Sequence, residues 1–226
     1  MSRLVDWQIR DLCVVRDAQQ FTWYRDKDDK PQPMLEPFSE AVSGNVVTEG
    51  SFNEPSAMAI GPKVISFGLS HAGYDLRLGT EFVEFLNHSS NYGQWPIINP
   101  KMFGDADYDA RVLRKWSQTQ PVVIPPLSYI LGMSLEYIRI PPWLVAECTG
   151  KSTLARSGIL INTTPLEPGW EGHLCIEIGN VTSLPAVVFP REGICQLLFT
   201  RLDATPETTY AGKKYQGQTG VTLAKV

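Results

Sequence analysis

Two segments of the chain carry residue types that could do chemistry. The first is Gly150-Lys151-Ser152-Thr153-Leu154-Ala155-Arg156-Ser157-Gly158. It brings backbone N–H groups, two hydroxyls and two cations into a short loop of small residues, a donor set that suits phosphate oxygens. It lacks the Gly-x-x-x-x-Gly-Lys-Ser/Thr spacing of a P-loop, and a capped helix start with a solvated Lys and Arg is an equally good reading of the residues alone. The second runs from Thr163 to Glu177, where Pro168-Gly169 marks a turn into a strand. A two-residue period puts Leu174, Ile176 and Ile178 on one face and His173, Cys175 and Glu177 on the other. By default Glu177 is a solvated strand residue. If its face lines a pocket, it becomes a general acid/base candidate.

Taken together, the two segments resemble the dCTP deaminases of the trimeric dUTPase-like superfamily. The similarity rests on Gly150 to Arg156, on Pro168-Gly169-Trp170-Glu171-Gly172, and on Glu177 five residues after that last Gly. The proteobacterial branch is similar through Cys148-Thr149-Gly150, Asn162 to Pro168 and Glu192-Gly193-Ile194-Cys195-Gln196. Gly68-Leu69-Ser70, Gly73-Tyr74-Asp75 and Lys214-Tyr215 with Gln218 and Gly220 extend it over about residues 63 to 222.

This resemblance implies hydrolytic deamination of dCTP to dUTP and ammonia, a step toward dUMP and dTTP. Glu177 would activate a water for attack on C4 of cytosine and later protonate the leaving amine. Ser152 and Arg156 would hold that water and stabilise charge near the ring. Lys151, Ser152, Thr153, Leu154, Ala155, Arg156 and Gln196 would contact the nucleotide and its phosphates. Cys175 and Ile176 would flank Glu177 in the binding set. The backbone at Thr163 and Thr164 would orient the base, and Glu167 stands where relatives carry an acid near the sugar. Tyr210, Lys214 and Gln218 would close over the triphosphate from the tail. The resemblance also implies a homotrimer with sites shared between subunits, and dTTP or dUTP could occupy the same site.

Water at neutral pH needs a base or a metal to attack. Zinc nucleobase deaminases use His-x-Glu with Pro-Cys-x-x-Cys. The three histidines, His71, His88 and His173, are not followed two residues later by Glu, and the four cysteines form no Cys-x-x-Cys. A carboxylate base without catalytic zinc is therefore expected, with Mg2+ accompanying the triphosphate. Trp170 reads as a packing residue, His173 as structural, Cys175 and Cys195 as small apolar residues, and Tyr74 and Asp75 as strand-pairing or subunit-contact residues. Rival readings are a dUTPase, a bifunctional enzyme taking dCTP to dUMP, a silent nucleotide-binding regulator, and a deaminase of a related cytosine deoxynucleotide. Against the first, Leu166-Glu167 and Trp170 replace the Ile-Asp and Tyr expected of a dUTPase.

These residues need a scaffold. Over 226 residues, 17 Pro and 18 Gly break long helices and favour short strands joined by turns. Apolar runs at 122–124, 129–131, 144–146, 159–161, 174–178, 186–189 and 195–199, with Tyr74, Leu76 and Leu78 alternating upstream, predict a mainly β fold, a distorted barrel or jelly roll of the dUTPase type. The whole of 1–226 reads as one domain with its β core at 63–201. Val5, Ile9, Leu12 and Cys13 predict a short N-terminal helix. Residues 17–62 read as a polar excursion with few core contacts and room for a hairpin, 87–119 as loop, and 202–226 as a mobile arm too poor in apolar residues to be core. A net charge of −4 disfavours nucleic acid as a partner. The opening Met1–Asp6 has no signal-like apolar run, and no stretch approaches the roughly 18 to 20 apolar residues of a membrane span. Scattered cysteines fit reduced thiols in the cytoplasm.

Overall fold

The computed structural model describes residues 1–15, 24, 26, 28–44, 63–86 and 97–226. Among these, the N-terminal half gives β1 (Ser2–Arg3), α1 (Asp6–Cys13), β2 (Leu35–Glu36), β3 (Val42–Gly44), β4 (Val64–Ser70), β5 (Gly73–Arg77), β6 (Glu81–Phe85), α2 (Ala106–Val112) and β7 (Leu113–Ser117). The C-terminal half gives β8 (Val122–Ile124), β9 (Ser128–Arg139), β10 (Leu144–Gly150), α3 (Ser152–Ala155), β11 (Ile159–Asn162), β12 (Glu171–Asn180), β13 (Ala186–Val188) and β14 (Gly193–Arg201). The fold is thus mainly β, as the runs of short apolar segments predict.

Two six-stranded sheets carry it. One has the order β1-β14-β5-β4-β3, with β10 also on β14; the other is β11-β12-β9-β6-β7, with β2 also on β9. Their strands alternate, so each sheet gives one face to a common core. Tyr74, Leu76 and Leu78 come from the first sheet's side, Ile176 and Ile178 from β12, and Leu197 and Phe199 from β14; all are buried. The Tyr74 hydroxyl is not orphaned there, because the Ser39 N–H donates to it at 3.0 Å.

A carboxyl lies in this interior. Glu136 is fully buried, and Arg77 meets it at 2.6 Å, while the Arg77 backbone N–H donates to its second oxygen at 3.0 Å. Burial pushes the Glu136 carboxyl up, and Arg77 opposes that. The pair sits where β9 departs from regular pairing. Between His173 and Cys175 the register with β9 shifts. Ser134 repairs the break: its hydroxyl donates to the Glu136 carbonyl at 2.7 Å and accepts from the Leu174 N–H at 2.8 Å.

Two expectations need correction. Met34 and Leu35 are core residues, not part of a loose excursion: β2 pairs with β9, and the Met34 N–H reaches the Leu12 carbonyl at 2.9 Å. Most of 17–62, the stretch given room for a hairpin, lies outside the described residues. Within 87–119, the run 104–107 is a helix start, since the Asp105 side chain accepts from the Tyr108 N–H at 2.9 Å and caps α2. β7 then pairs along all of β6. The tail, expected as an arm, lies along β12. Gly217 N–H donates to the Glu171 carbonyl and the Gln218 carbonyl accepts from His173 N–H, both at 2.8 Å. Val221 and Leu223 pack on a second apolar cluster built around Val83, Val112, Leu113 and Leu131.

Candidate active site

β12 positions Glu177. Its burial alternates strictly, with Gly172, Leu174, Ile176, Ile178 and Asn180 buried and the residues between them half-buried. Directly across the ladder, Glu177 faces Leu131 and Gly179 faces Tyr129; Leu131 in turn faces Val83. Glu177 is therefore a carboxyl on an otherwise largely apolar sheet face. Two further walls rise over that face. Phe85 and Phe103, with ring centroids 6.3 Å apart, and Phe85 against Tyr129 at 5.2 Å make one. The docked tail makes the other, through Tyr210, Tyr215, Gln218, Thr222 and Leu223. Between them lies a cavity of about 710 Å3, also lined by Glu177, Cys175, Glu167 and Trp170, well within the size range of small-molecule sites.

The surroundings set the acid–base character of Glu177. Burial pushes its carboxyl up to about 7, with a backbone hydrogen bond acting weakly in the opposite sense. The same burial, reinforced by the charge of Glu177, pushes the Cys175 thiol up to about 12 and raises the Tyr129 phenol. Cys175 is therefore a neutral wall residue, not a nucleophile. Among the described residues, Glu177 Oε2 and Gln218 Oε1 are buried with no hydrogen-bond partner. Two acceptors left open in the lining of one cavity, one on the sheet and one on the tail, form a place for donors from a ligand.

Gly172 lets the tail reach this wall. Its φ is +146°, and a Cβ there would stand 2.8 Å from the Gln218 backbone N. Trp170 is buried, and its indole N–H donates to the Tyr215 carbonyl at 2.9 Å, so it both packs and pins the tail. His173 is held by the Ser134 carbonyl at 3.1 Å and by the edge of Tyr137, which fits a structural role.

The Gly150–Gly158 segment folds as α3, a single turn at the end of β10. Ser152, Thr153, Ala155 and Arg156 are exposed, and Arg156 makes no ion pair among the described residues. None of Lys151, Ser152, Arg156 and Gln196 lines the cavity, so one copy of the chain does not bring the cationic segment to Glu177. Lys214 lies instead on a second depression with Tyr210 and Glu167. Two residues of the expected binding set point elsewhere. Leu154 and Ile176 are core residues, Ile176 because alternation sends it to the face opposite Glu177, and neither lines the cavity. Lys151 and Gln196 are engaged with Asp75, which is thus more than a strand-pairing residue.

Sequence reasoning missed the wall made by Phe85, Phe103, Tyr129 and Leu131. Tyr129 and Leu131 had a readable signal, since they stand two apart in an apolar run that alternates with the opposite face. Phe103 had none, because its approach depends on α2 folding back against β7.

A family profile described as dCTP deaminase-like matches residues 56–202. The chain belongs to that family. Similar relatives are the dCTP deaminase of Acinetobacter baylyi (strain ATCC 33305 / BD413 / ADP1), 41% identical over 90% of this chain and 96% of that protein, and that of Erythrobacter litoralis (strain HTCC2594), 47% identical over 72% and 83%. Of solved structures, the 2'-deoxycytidine 5'-triphosphate deaminase from Agrobacterium tumefaciens shares 22% identity at a TM-score of 0.43, covering 58% of this chain and 38% of that one. Native EIAV dUTPase shares 21% at 0.35, covering 42% and 79%. The dCTP deaminase-like match spans α3, β12 and Glu177 and ends at Leu202, so the docked tail that walls the cavity lies beyond it.

Proposed function

We propose that the chain hydrolyses the 4-amino group of dCTP to give dUTP and ammonia, with Glu177 as the proton shuttle. The observation that carries this is a carboxyl raised to about 7, with an unpartnered oxygen, on the wall of an apolar cavity. Ionised, Glu177 takes a proton from water as the oxygen attacks C4. The protonated carboxyl gives that proton to N3, then takes the proton of the new C4 hydroxyl and passes it to the amine, so ammonia leaves as the C4 carbonyl forms. A pKa near the working pH serves both halves of the cycle. Ser152 and Arg156 supply the donors for the water and for the charge that develops on the ring, with the phosphates held by the exposed α3 segment and the tail. Magnesium enters with the triphosphate as part of the substrate, and the water needs no zinc.

In this reading the site is completed by another copy of the chain, in a cytoplasmic homotrimer. One copy has open acceptors around Glu177 and exposed, unpaired donors on α3, and the two do not meet within it. Relatives named dCTP deaminase, alike over nearly their whole length, support the substrate.

The test is Glu177→Gln, which keeps the side chain's size but not its basicity. Turnover of dCTP should fall by about 10²–10⁴-fold while nucleotide affinity persists. Near-normal ammonia release by the variant would remove Glu177 from the mechanism. Scoring wild-type products for dUTP, dUMP and pyrophosphate in the same assay separates simple deamination from onward hydrolysis.

A further inference from the structure

We infer that Ser134 is a positioning residue for the site: its hydroxyl closes a bulge in β9, and so keeps the stretch of β12 that carries the tail in step with the stretch that carries Glu177. The inference rests on the function proposed above. Three observations lead to it.

The first is the shape of the bulge. His173 faces Tyr137 and Cys175 faces Met133, so a single β12 residue, Leu174, stands against Ser134, Leu135 and Glu136. β9 thus carries two residues more than β12 at this point. An even excess preserves the alternation of faces, so Glu177 still falls opposite Leu131 on the cavity side. The bulge leaves Leu174 without a backbone partner on β9.

The second is what fills the gap. Ser134 is fully buried and holds both residues at the break. Its hydroxyl accepts from the Leu174 N–H at 2.8 Å and donates to the Glu136 carbonyl at 2.7 Å, while its carbonyl meets His173 Nδ1 at 3.1 Å. One side chain therefore stands in for a rung of the ladder. The bulge is braced from the end of β5 as well: the Gly79 N–H donates to the Met133 carbonyl at 2.7 Å, and Arg77 holds Glu136. Leu174 is itself buried, so without the hydroxyl its N–H would have neither protein nor water to donate to. β12 would have to shift against β9 to find an acceptor.

The third is the edge of β12 that faces away from β9. There the tail covers the first stretch, with Gly217 N–H donating to the Glu171 carbonyl and His173 N–H to the Gln218 carbonyl. β11 covers the last stretch, with Asn162 opposite Glu177 and Ile159 opposite Asn180. The neighbour changes between His173 and Glu177, level with the bulge on the other edge. The two open acceptors of the cavity divide in the same way. Gln218 Oε1 comes from the tail on the first stretch, and Glu177 Oε2 from the last. A shift at Leu174 would therefore move one relative to the other.

A hydroxyl that only stabilises the fold and one that sets the site predict different results. In the first case Ser134→Ala melts earlier, yet well below its melting temperature its kcat, KM and tail contacts are those of the wild type. In the second, kcat/KM for dCTP at such a temperature falls by about 10–100-fold, the scale of a small misplacement of catalytic groups. The loss is shared between a lower kcat, as Glu177 shifts, and a higher KM, as the tail shifts. Hydrogen exchange over 171–175 and 215–219 in the full chain without nucleotide reads the same displacement. The His173 and Gly217 N–H groups should be protected in the wild type and lose that protection in Ser134→Ala. Ser134→Thr, which keeps the hydroxyl, should restore both readouts. Should Ser134→Ala fail to fold, Ser134→Cys takes its place, since a thiol fills the space but is a weak hydrogen-bonding group. Unchanged exchange, or unchanged kcat and KM, in the folded variant would overturn the inference. So would unprotected His173 and Gly217 in the wild type, or losses in Ser134→Thr as deep as in Ser134→Ala. If dCTP is not the substrate, the wild type itself shows no turnover, and the exchange contrast alone decides.

Discussion

At the scale of the residue, the raised carboxyl of Glu177 has two consequences that can be measured apart. In catalysis the general base must be ionised, so kcat/KM should climb with pH through a limb near 7, the value to which burial pushes this group. A limb near the ordinary carboxylate range would mean that some other group is the base. In stability the sign runs the other way. The folded state holds the Glu177 proton more tightly than the unfolded chain does. Below the ordinary value of 4.5 both states are protonated and there is no penalty. As pH rises from there through about 7, the unfolded state ionises first and the fold loses stability. Glu177→Gln removes that loss. Its melting temperature should match the wild type at pH 4 and exceed it at pH 8, as followed by thermal denaturation. A variant that is less stable than wild type at both pH values would show that Glu177 holds the fold, not the chemistry.

At the scale of the element, the site depends on how β12 meets the tail. Gly172→Ala would place a methyl 2.8 Å from the Gln218 backbone N at a φ of +146°, so β12 and the tail cannot both keep their places. Strain of this kind costs about 1–3 kcal/mol, and displacing the tail relieves it. The expected outcome is a raised KM for dCTP with a modest fall in melting temperature, matched in KM by a chain truncated after Leu202. A normal KM in Gly172→Ala would mean that the docked tail is not part of the working site. Legibility in the sequence divides along the same line. The strand of Glu177 could be read because its period of two persists over ten residues, from Glu171 to Asn180. The tail could not, because Val221 and Leu223 are two isolated apolar residues whose partners, Val83 and Leu131, lie far away in the chain. Local pattern shows which residues can be buried, and it does not show what long-range packing will cover. The same limit hid Met34 and Leu35 in a polar stretch, and it left Asp75 looking like an ordinary strand residue until Lys151 and Gln196 closed on it.

At the scale of the whole molecule, the exposed surface bears on assembly. Leu127 is 76% exposed, Leu184 70%, Val181 55% and Leu160 50%. Backbone pairing brings three of them near one another: Leu127 N–H bonds to Thr182, Val181 N–H to Gly158, and Leu160 faces Gly179 on β12. Apolar residues grouped at the β11 edge suit contact with another copy. If that contact completes the site, Glu177 from one subunit works with Ser152 and Arg156 from its neighbour. The prediction is complementation. Glu177→Gln and Arg156→Ala should each be nearly inactive alone. Mixed trimers formed by co-refolding contain a site in which Glu177 and Arg156 are both intact, because each comes from the subunit that was not altered there. In a closed ring of three, random mixing at equal amounts restores about a quarter of wild-type activity. Sites built within one subunit could never recover in this way, since every subunit carries one lesion. Activity of the mixture against the sum of the two variants, measured on trimers isolated by size, therefore decides between a shared and a private site, and no recovery in verified mixed trimers would place Arg156 and Glu177 in the same subunit's site.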